Sequence, residues 1–204
     1  EEIKISGAGK IRGKVEAATI TASGSAVFSE DVIADEMKVS GSARVNGQVK
    51  VEELKCSGTF KTGKGISSEY IKISGSLRTE LDVEAEIFKA SGGFRIGGLL
   101  SADRVEINAG GRCEVREIGG EKIEVTRGGW REKGILLDGL IKLFTGGGNA
   151  ELHTSQIEGD EILLEDTTAE MVRGKTVEIG PGCNIETVEY SESLRVADGA
   201  TVKN

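Results

Sequence analysis

The feature that most constrains this chain is a Ser-Gly dipeptide that returns every 17 residues. It occurs six times in register, beginning at Ser6, Ser23, Ser40, Ser57, Ser74 and Ser91. A fixed period indicates a repeat architecture, in which each unit buries its apolar face against its neighbours. Seventeen residues are too few for a helix-pair repeat, which needs about 33. They suffice for one coil of a parallel β-solenoid, whose coils stack at about 4.8 Å.

Positions within the unit, counted from Ile3, show which side chains face inward. Position one is apolar in seven successive units: Ile3, Ile20, Met37, Leu54, Ile71, Phe88 and Val105. Positions three, nine, thirteen and fifteen are also mostly apolar, beginning with Ile5, Ile11, Val15 and Ala17. Apolar residues that alternate with polar ones indicate strands with one buried face. The pattern predicts an all-β fold, a parallel β-helix with three faces and about 17 residues per coil.

Composition agrees with a narrow β-helical interior. Val and Ile together number 35, whereas Phe, Trp and Tyr number only eight, so strand formers are plentiful and large core fillers are few. We expect small inward residues such as Cys56, and we predict that Cys56 is buried and slow to react. Glycine is the residue that best tolerates a left-handed backbone, so we also predict that Gly41, Gly58 and Gly75 form left-handed corners.

The chain divides into three segments by its pattern. Residues 1–126 carry the regular coils, 127–149 form an apolar insertion without a 17-residue partner, and 150–204 continue as irregular coils. The insertion is predicted to be a short helix or a loop. It either forms an irregular coil or a flap over part of the core, or offers a membrane-touching patch or a lateral contact through Trp130, Leu140 and Phe144.

Charged residues also recur at fixed positions. Position two holds Lys4, Lys38, Lys55, Lys72 and Lys89, and position eight holds Lys10, Arg44, Lys61, Arg78 and Arg95. Near the third corner lie Glu16, Glu52, Glu69, Glu84 and Asp103. The basic stripes could bind an anionic polymer, but we favour solvated outer faces whose charge blocks lateral sheet association. The net charge of −8 argues against a nucleic-acid footprint, which requires a basic surface.

A search for catalytic and metal-binding patterns yields no persuasive site. The three cysteines are far apart in sequence, and His153 is the single histidine, so the usual spacing of zinc ligands is missing. The carboxylates of Asp160, Glu161, Glu165 and Asp166 are interpreted as a solvated face rather than as an acid–base pair. We therefore expect no catalytic residue, no metal and no cofactor, and we predict that the protein is not an enzyme.

The repeats resemble the bactofilin family, the polymer-forming cytoskeletal proteins of bacteria. The resemblance rests on the apolar-Lys-apolar-Ser-Gly openings and on Gly13, Gly47 and Gly98 before an apolar-x-apolar strand, and it covers roughly residues 3–122. The tail, with Ile-Glu-Gly-Asp at 157–160 and Ile-Gly-Pro-Gly-Cys at 179–183, looks like longer bactofilin-like proteins of unassigned role. The resemblance implies a right-handed β-helix, nucleotide-free end-to-end self-assembly and a cytoplasmic or membrane-associated scaffold.

We therefore expect a structural protein whose partner is another copy of itself, in a homo-oligomer or filament. The first and last coils lack a helical pattern that could cover them, so we predict self-association through residues of those coils: Ile3, Ile5, Leu194, Val196 and Val202. The alternative is a rigid β-helix that binds a cell-envelope polymer or protein, or a membrane-associated partner. A β-helix enzyme is the least favoured possibility.

Overall fold

The computed structural model describes residues 1–127 and 151–204. Within these ranges the chain forms one parallel sheet of seventeen strands and contains no helix. Every pairing in the sheet is parallel, and strands pair with strands of neighbouring coils. The predicted all-β, parallel β-helical fold is confirmed.

The strands follow the repeat closely in the first six coils. Short strands of four residues alternate with strands of eight residues. The first strand, β1 (Glu2–Ile5), pairs with the C-terminal half of β3 and so belongs to the ladder of long strands. The short strands are β2 (Ala8–Ile11), β4 (Ser25–Phe28), β6 (Ser42–Val45), β8 (Thr59–Thr62) and β10 (Ser76–Thr79). The eight-residue strands are β3 (Val15–Ala22), β5 (Val32–Val39), β7 (Val49–Cys56), β9 (Ile66–Ile73) and β11 (Val83–Ala90). Later coils merge these pieces into β12 (Gly93–Asn108), β13 (Cys113–Thr126), β14 (Leu152–Leu164), β15 (Thr167–Ile179) and β16 (Asn184–Val196), followed by the two-residue β17 (Thr201–Val202).

One register column runs the whole length of the solenoid. It joins Ile3, Ile20, Met37, Leu54, Ile71, Phe88, Val105, Ile123, Ile162, Val177 and Leu194. These eleven rungs are separated by ten turns, which corresponds to about 48 Å at about 4.8 Å per turn. The ladder passes directly from Ile123 in β13 to Ile162 in β14, so the coils on both sides of the insertion belong to one stack.

The interior is filled from three sides, and one inward column was missed by the sequence pattern. Position seven, on the short strands, is buried at Ala26, Ala43, Phe60 and Leu77. In these four coils position nine is apolar where position seven is alanine and is threonine where position seven is large. Ala26 is followed by Phe28 and Ala43 by Val45, whereas Phe60 is followed by Thr62 and Leu77 by Thr79. Position seven therefore contributes to the close-packed interior in every one of these coils, although its residue changes from coil to coil.

The threonines at position nine remain satisfied although they are buried. The Thr62 hydroxyl donates to the Gly47 carbonyl at 2.9 Å, and the Thr79 hydroxyl donates to the Lys64 carbonyl at 2.7 Å. Buried polar groups are tolerated when they are hydrogen-bonded. Cys56 lies in the same interior, with 2% of its surface exposed, so its predicted burial is confirmed.

The Ser-Gly corners stack on one another, but the predicted conformation of their glycines is wrong. Positive φ among the described glycines occurs at Gly13, Gly182 and Gly199, not at Gly41, Gly58 or Gly75. Close backbone approach explains the glycine instead. A Cβ on Gly58 would overlap the carbonyl oxygen of Gly41 and lie 2.7 Å from the carbonyl carbon of Ser40. Successive corners pack too tightly to admit a side chain.

Candidate functional site

The terminal rungs expose apolar columns that are buried everywhere else. Ile20 and Ala22 are fully buried, whereas their neighbours in the first rung, Ile3 and Ile5, are only half-buried. In the last rung Leu194 is half-buried and Val196 is 48% exposed. Val202, in the two-residue β17, is also half-buried. All five predicted association residues therefore lie in the first or the last described coils.

The exposure of these residues follows from the register. Ile3 and Ile5 pair with β3 on one side, and Leu194 and Val196 pair with β15 on one side. An interior rung has a ladder on both sides, so its inward side chains are covered above and below. The end rungs therefore present both partly exposed apolar side chains and one edge of each strand.

A groove lies on the surface of the later coils. Its volume is about 830 Å³. A column of small residues creates the concavity, because Gly120, Gly159 and Gly174 are register partners and have no side chains. Tyr190 follows as the next member of that column and is 54% exposed. The groove thus has a backbone floor and an aromatic ring at one end.

Ion pairs along the groove hold its polar side chains in place. The Arg173 guanidinium lies 2.6 Å from Glu189 and 3.5 Å from Glu158. The hydrogen bond with Glu189 raises the pKa of Arg173. Lys175 lies 2.7 Å from Asp160, and this hydrogen bond raises the pKa of the Lys175 ammonium. Both cations consequently stay charged, and the groove offers fixed donors and acceptors beside the tyrosine.

A line of cations follows the face made by the short strands. The basic column consists of the five exposed position-eight residues, Lys10, Arg44, Lys61, Arg78 and Arg95. The last four are direct register partners on consecutive coils. Val27 occupies the same position between Lys10 and Arg44. The sequence pattern identified this column correctly, because the register preserves the 17-residue phase.

A line of carboxylates follows a different corner, and the sequence pattern described it incompletely. Each member lies between two registered pairs of the long strands, so the acidic column spans five consecutive coils: Asp35, Glu52, Glu69, Glu86 and Asp103. All five are exposed. Glu16 and Glu84, which the sequence pattern grouped here, belong to position fourteen instead. Aligning the repeats at position sixteen would have revealed the column.

Individual titratable groups singled out by sequence lie in ordinary surface or core surroundings. The His153 Nε2 lies 3.2 Å from the Glu151 carboxylate on the surface. Asp160, Glu161 and Asp166 each pair with a cation, which is Lys175, Lys122 and Arg127 respectively. The Glu165 carboxylate accepts a hydrogen bond from the Arg127 backbone N–H at 2.9 Å. Burial raises the pKa of the Cys56, Cys113 and Cys183 thiols to about 11.

Two further observations concern the part of the chain that the structure describes. In residues 1–127 and 151–204, no three or more His, Cys, Asp or Glu side chains are grouped to hold a metal. The same residues contain no helix that could span a membrane. The proposed lateral contact through Trp130, Leu140 and Phe144, and residues 128–149 of the insertion, lie outside the described residues.

Comparison with known proteins gives partial matches to proteins without an assigned role. The chain is 43% identical over 79 residues to the uncharacterized protein YhbF of Bacillus subtilis (strain 168), which covers 37% of this chain and 27% of YhbF. It is 41% identical over 93 residues to the uncharacterized protein YhbE of the same organism, covering 46% of this chain and 35% of YhbE. The matches thus span about a quarter of YhbF and about a third of YhbE. No protein-family model and no solved structure matches the chain.

Proposed function

We propose that this chain is a non-catalytic structural protein, a bactofilin-like cytoskeletal scaffold whose copies associate through the ends of their β-helices. The observation that carries the proposal is the difference in exposure between residues of the same register column. Ile20 is fully buried, yet Ile3 in the same column is half-buried, and Val196 is 48% exposed although its column partner Ile179 is fully buried. Contact with a second copy would cover these side chains.

The physical gain from such a contact has two parts. An end rung of a second copy would pair with the open backbone edge, as edge strands do when they meet another chain. It would also remove apolar surface from water at roughly 25 cal/mol per Å². A head-to-tail contact continues the parallel ladder and propagates into a filament, whereas like ends meeting would close as a dimer. The parallel ladder favours the head-to-tail arrangement.

The cellular setting is part of the same proposal. Cys56, Cys113 and Cys183 are free thiols in the structure, and free thiols are usual in a reducing compartment. They support a cytoplasmic scaffold, in which attachment to a membrane would require a further partner. Another copy of the chain is the primary partner that we propose.

Val196→Asp tests end association. The aspartate would place a charge in the contact, and we expect the assembly seen for the wild-type chain at rising concentration to disappear. Sedimentation velocity and electron microscopy would measure assembly, and circular dichroism would verify that the β-helix persists. Leu81→Asp is the matched control, because Leu81 is 52% exposed but lies in the middle of the solenoid. A monomeric wild-type chain, or normal assembly of Val196→Asp, would refute the proposal.

A second candidate function, a rigid scaffold that binds a cell-envelope polymer, is favoured by the groove. Tyr190 offers an exposed ring next to the polar groups of Arg173 and Glu189. Such a combination of an aromatic face and oriented polar groups suits a hydroxyl-rich ligand. Purified cell-wall sacculi would serve as the probe in a co-sedimentation assay. Loss of binding in Tyr190→Ala but not in Leu81→Ala would favour this function, and equal binding by both would exclude the groove.

A further inference from the structure

The basic column lacks compensation for most of its charge. Arg78 lies 3.4 Å from Glu80, and Arg95 lies 3.6 Å from Glu114. Within residues 1–127 and 151–204, Lys10, Arg44 and Lys61 form no ion pair. A chain with a net charge of −8 thus keeps a line of cations on one face. Repulsion between like charges at the strand spacing of about 4.8 Å is relieved when an array of anions approaches.

The acidic column is similarly uncompensated. In the described parts of the chain, none of Asp35, Glu52, Glu69, Glu86 and Asp103 forms an ion pair or a side-chain hydrogen bond. Other surface carboxylates behave differently. Glu36 and Glu53, each one residue beyond a member of the column, pair with Lys38 and Lys55 at 2.7 Å. The column at position sixteen therefore stands apart from the paired charges of the adjacent face.

The two columns lie on opposite sides of the coil. The long strands keep ladder pairs at Ala34 and Glu36 but not at Asp35 between them, which marks position sixteen as the corner where two faces meet. In a coil with three faces, the corner between two faces lies opposite the third. The third face is the one made by the short strands, which carries the basic column.

We propose that the face bearing the basic column docks the acidic column of a second copy of this chain. Each column has one residue per coil, so the two columns repeat at the same distance along the solenoid axis. A single shift of one copy along this axis therefore places Arg44, Lys61, Arg78 and Arg95 opposite four carboxylates at once. The corner with the acidic column lies opposite the face with the basic column. A second copy moved sideways, with its axis parallel to the first, therefore brings the two columns together. This contact is heterologous, because different surfaces meet, and it leaves a free column on each outer side. Solenoids would consequently associate side by side into sheets or bundles.

A second copy fits the basic column better than other polyanions do. Single-stranded nucleic acid is usually held by aromatic side chains on which its bases stack, and the outward positions of β4, β6, β8 and β10 contain none. An anionic bilayer favours a broad basic patch, whereas this face has one line of cations flanked by Ser42, Thr59 and Ser76. The acidic column has the matching repeat and the opposite charge.

This lateral contact is independent of the end contact proposed above, although end-to-end assembly would strengthen it. Single exposed ion pairs are weak, so several must form together. A filament presents many copies of both columns, and each further copy adds contacts at high effective concentration. The two contacts also respond differently to salt. Lateral pairing should weaken as salt screens exposed charges, whereas apolar end stacking should persist.

Charge reversal with a mixing control tests the lateral contact. The basic-face variant is Arg44→Glu with Lys61→Glu, and the acidic-column variant is Glu52→Lys with Glu69→Lys. Lateral association would be measured by sedimentation velocity in the Val196→Asp background, where the head-to-tail contact is blocked, between about 0.05 and 0.5 M salt. Lys14→Glu with Lys50→Glu is the control, because it makes the net charge more negative by four, as the basic-face variant does, at exposed positions outside both columns.

We expect each column variant to need at least about tenfold higher concentration to associate, since two attractive pairs become repulsive. The control should associate like its parent. An equimolar mixture of the two column variants should recover association, because the reversed column of each complements the other. Failure of the mixture to recover, or an absence of salt-sensitive association in the parent, would overturn the proposal while leaving end stacking to its own test. Binding of inorganic polyphosphate by a parent that does not self-associate would assign the face to a different anion and would also overturn it.

Discussion

Replacing Gly58 by alanine would test what holds the coils at their spacing. Gly58 occupies a stacked Ser-Gly corner, and its backbone φ is not in the left-handed region. Alanine at a compatible backbone position normally stabilises a protein by about 0.4–1 kcal/mol. Here the new Cβ would overlap the Gly41 carbonyl oxygen. We therefore expect a destabilisation that arises from contact between coils and not from backbone strain.

The magnitude follows from the bonds that the corner must shift. The Ser57 and Gly58 N–H groups both donate to the Val39 carbonyl, at 2.9 and 3.1 Å, and Thr59 N–H donates to the Gly41 carbonyl at 2.9 Å. Relieving the overlap would stretch one or two of these bonds, each worth about 0.5–1.5 kcal/mol. Overpacking adds about 1–3 kcal/mol. We expect a total loss of about 2–4 kcal/mol, or a fall in Tm of roughly 5–15 °C for a chain of this size.

Gly7→Ala supplies the matched control. Gly7 has the same phase in the repeat, but a Cβ there would meet no atom within 4 Å. Its Tm should equal or slightly exceed that of the wild-type chain. Thermal unfolding followed by circular dichroism would compare both variants. A Gly58→Ala variant as stable as Gly7→Ala would refute the idea that close approach of the corners requires glycine.

Three further predictions concern buried groups. Cys56 should react with a thiol reagent far more slowly in the native protein than in denaturant, because burial raises the pKa of its thiol to about 11. Fast labelling of Cys56 in the folded protein at pH 8 would contradict the assigned register. The free energy of unfolding should fall by roughly 1–2 kcal/mol per buried thiol as pH rises from about 9 to 11. The reason is that the thiols of the unfolded chain lose their protons at lower pH than the buried thiols do. A variant with all three cysteines changed to alanine should lack this part of the decline. Glu106→Ala should destabilise by about 1–3 kcal/mol, because the buried Glu106 carboxylate lies 3.0 Å from Lys89 and 2.5 Å from Arg104. Glu53→Ala, which removes an exposed pair, should cost less than about 1 kcal/mol, and equal losses in urea unfolding would count against a special role for the buried pair.

The period of the sequence determined the fold class and the phase of each face. Ser-Gly pairs 17 residues apart and apolar residues at positions one and three sufficed to predict stacked parallel coils. In the regular coils, residues that lie 17 positions apart in sequence are register partners. Arg44 and Lys61 could therefore be placed in one column from the sequence alone. The burial of Cys56 followed from the same phase. Each regular coil turns the same positions inward, so the position of a residue in the repeat predicts its burial.

Only the tertiary structure showed which positions face the interior where the residue changes from coil to coil. Position seven changes from Ala43 to Phe60, so no single-position pattern marks it as inward. Only the structure shows that it is buried. The corner glycines share one phase, yet sequence could not distinguish a need for positive φ from contact with the carbonyl of the preceding coil.

The candidate surfaces divide in the same way. Residues at the ends, such as Ile3 and Val196, were identified from sequence because their columns stop there. The groove was not, because it arises from Gly120, Gly159 and Gly174 aligning across coils of unequal length. The opposition of the basic and acidic columns likewise depends on the three-faced cross-section. Sequence determines which residues share a column, whereas the shape of the coil decides which columns lie opposite each other and where the surface becomes concave.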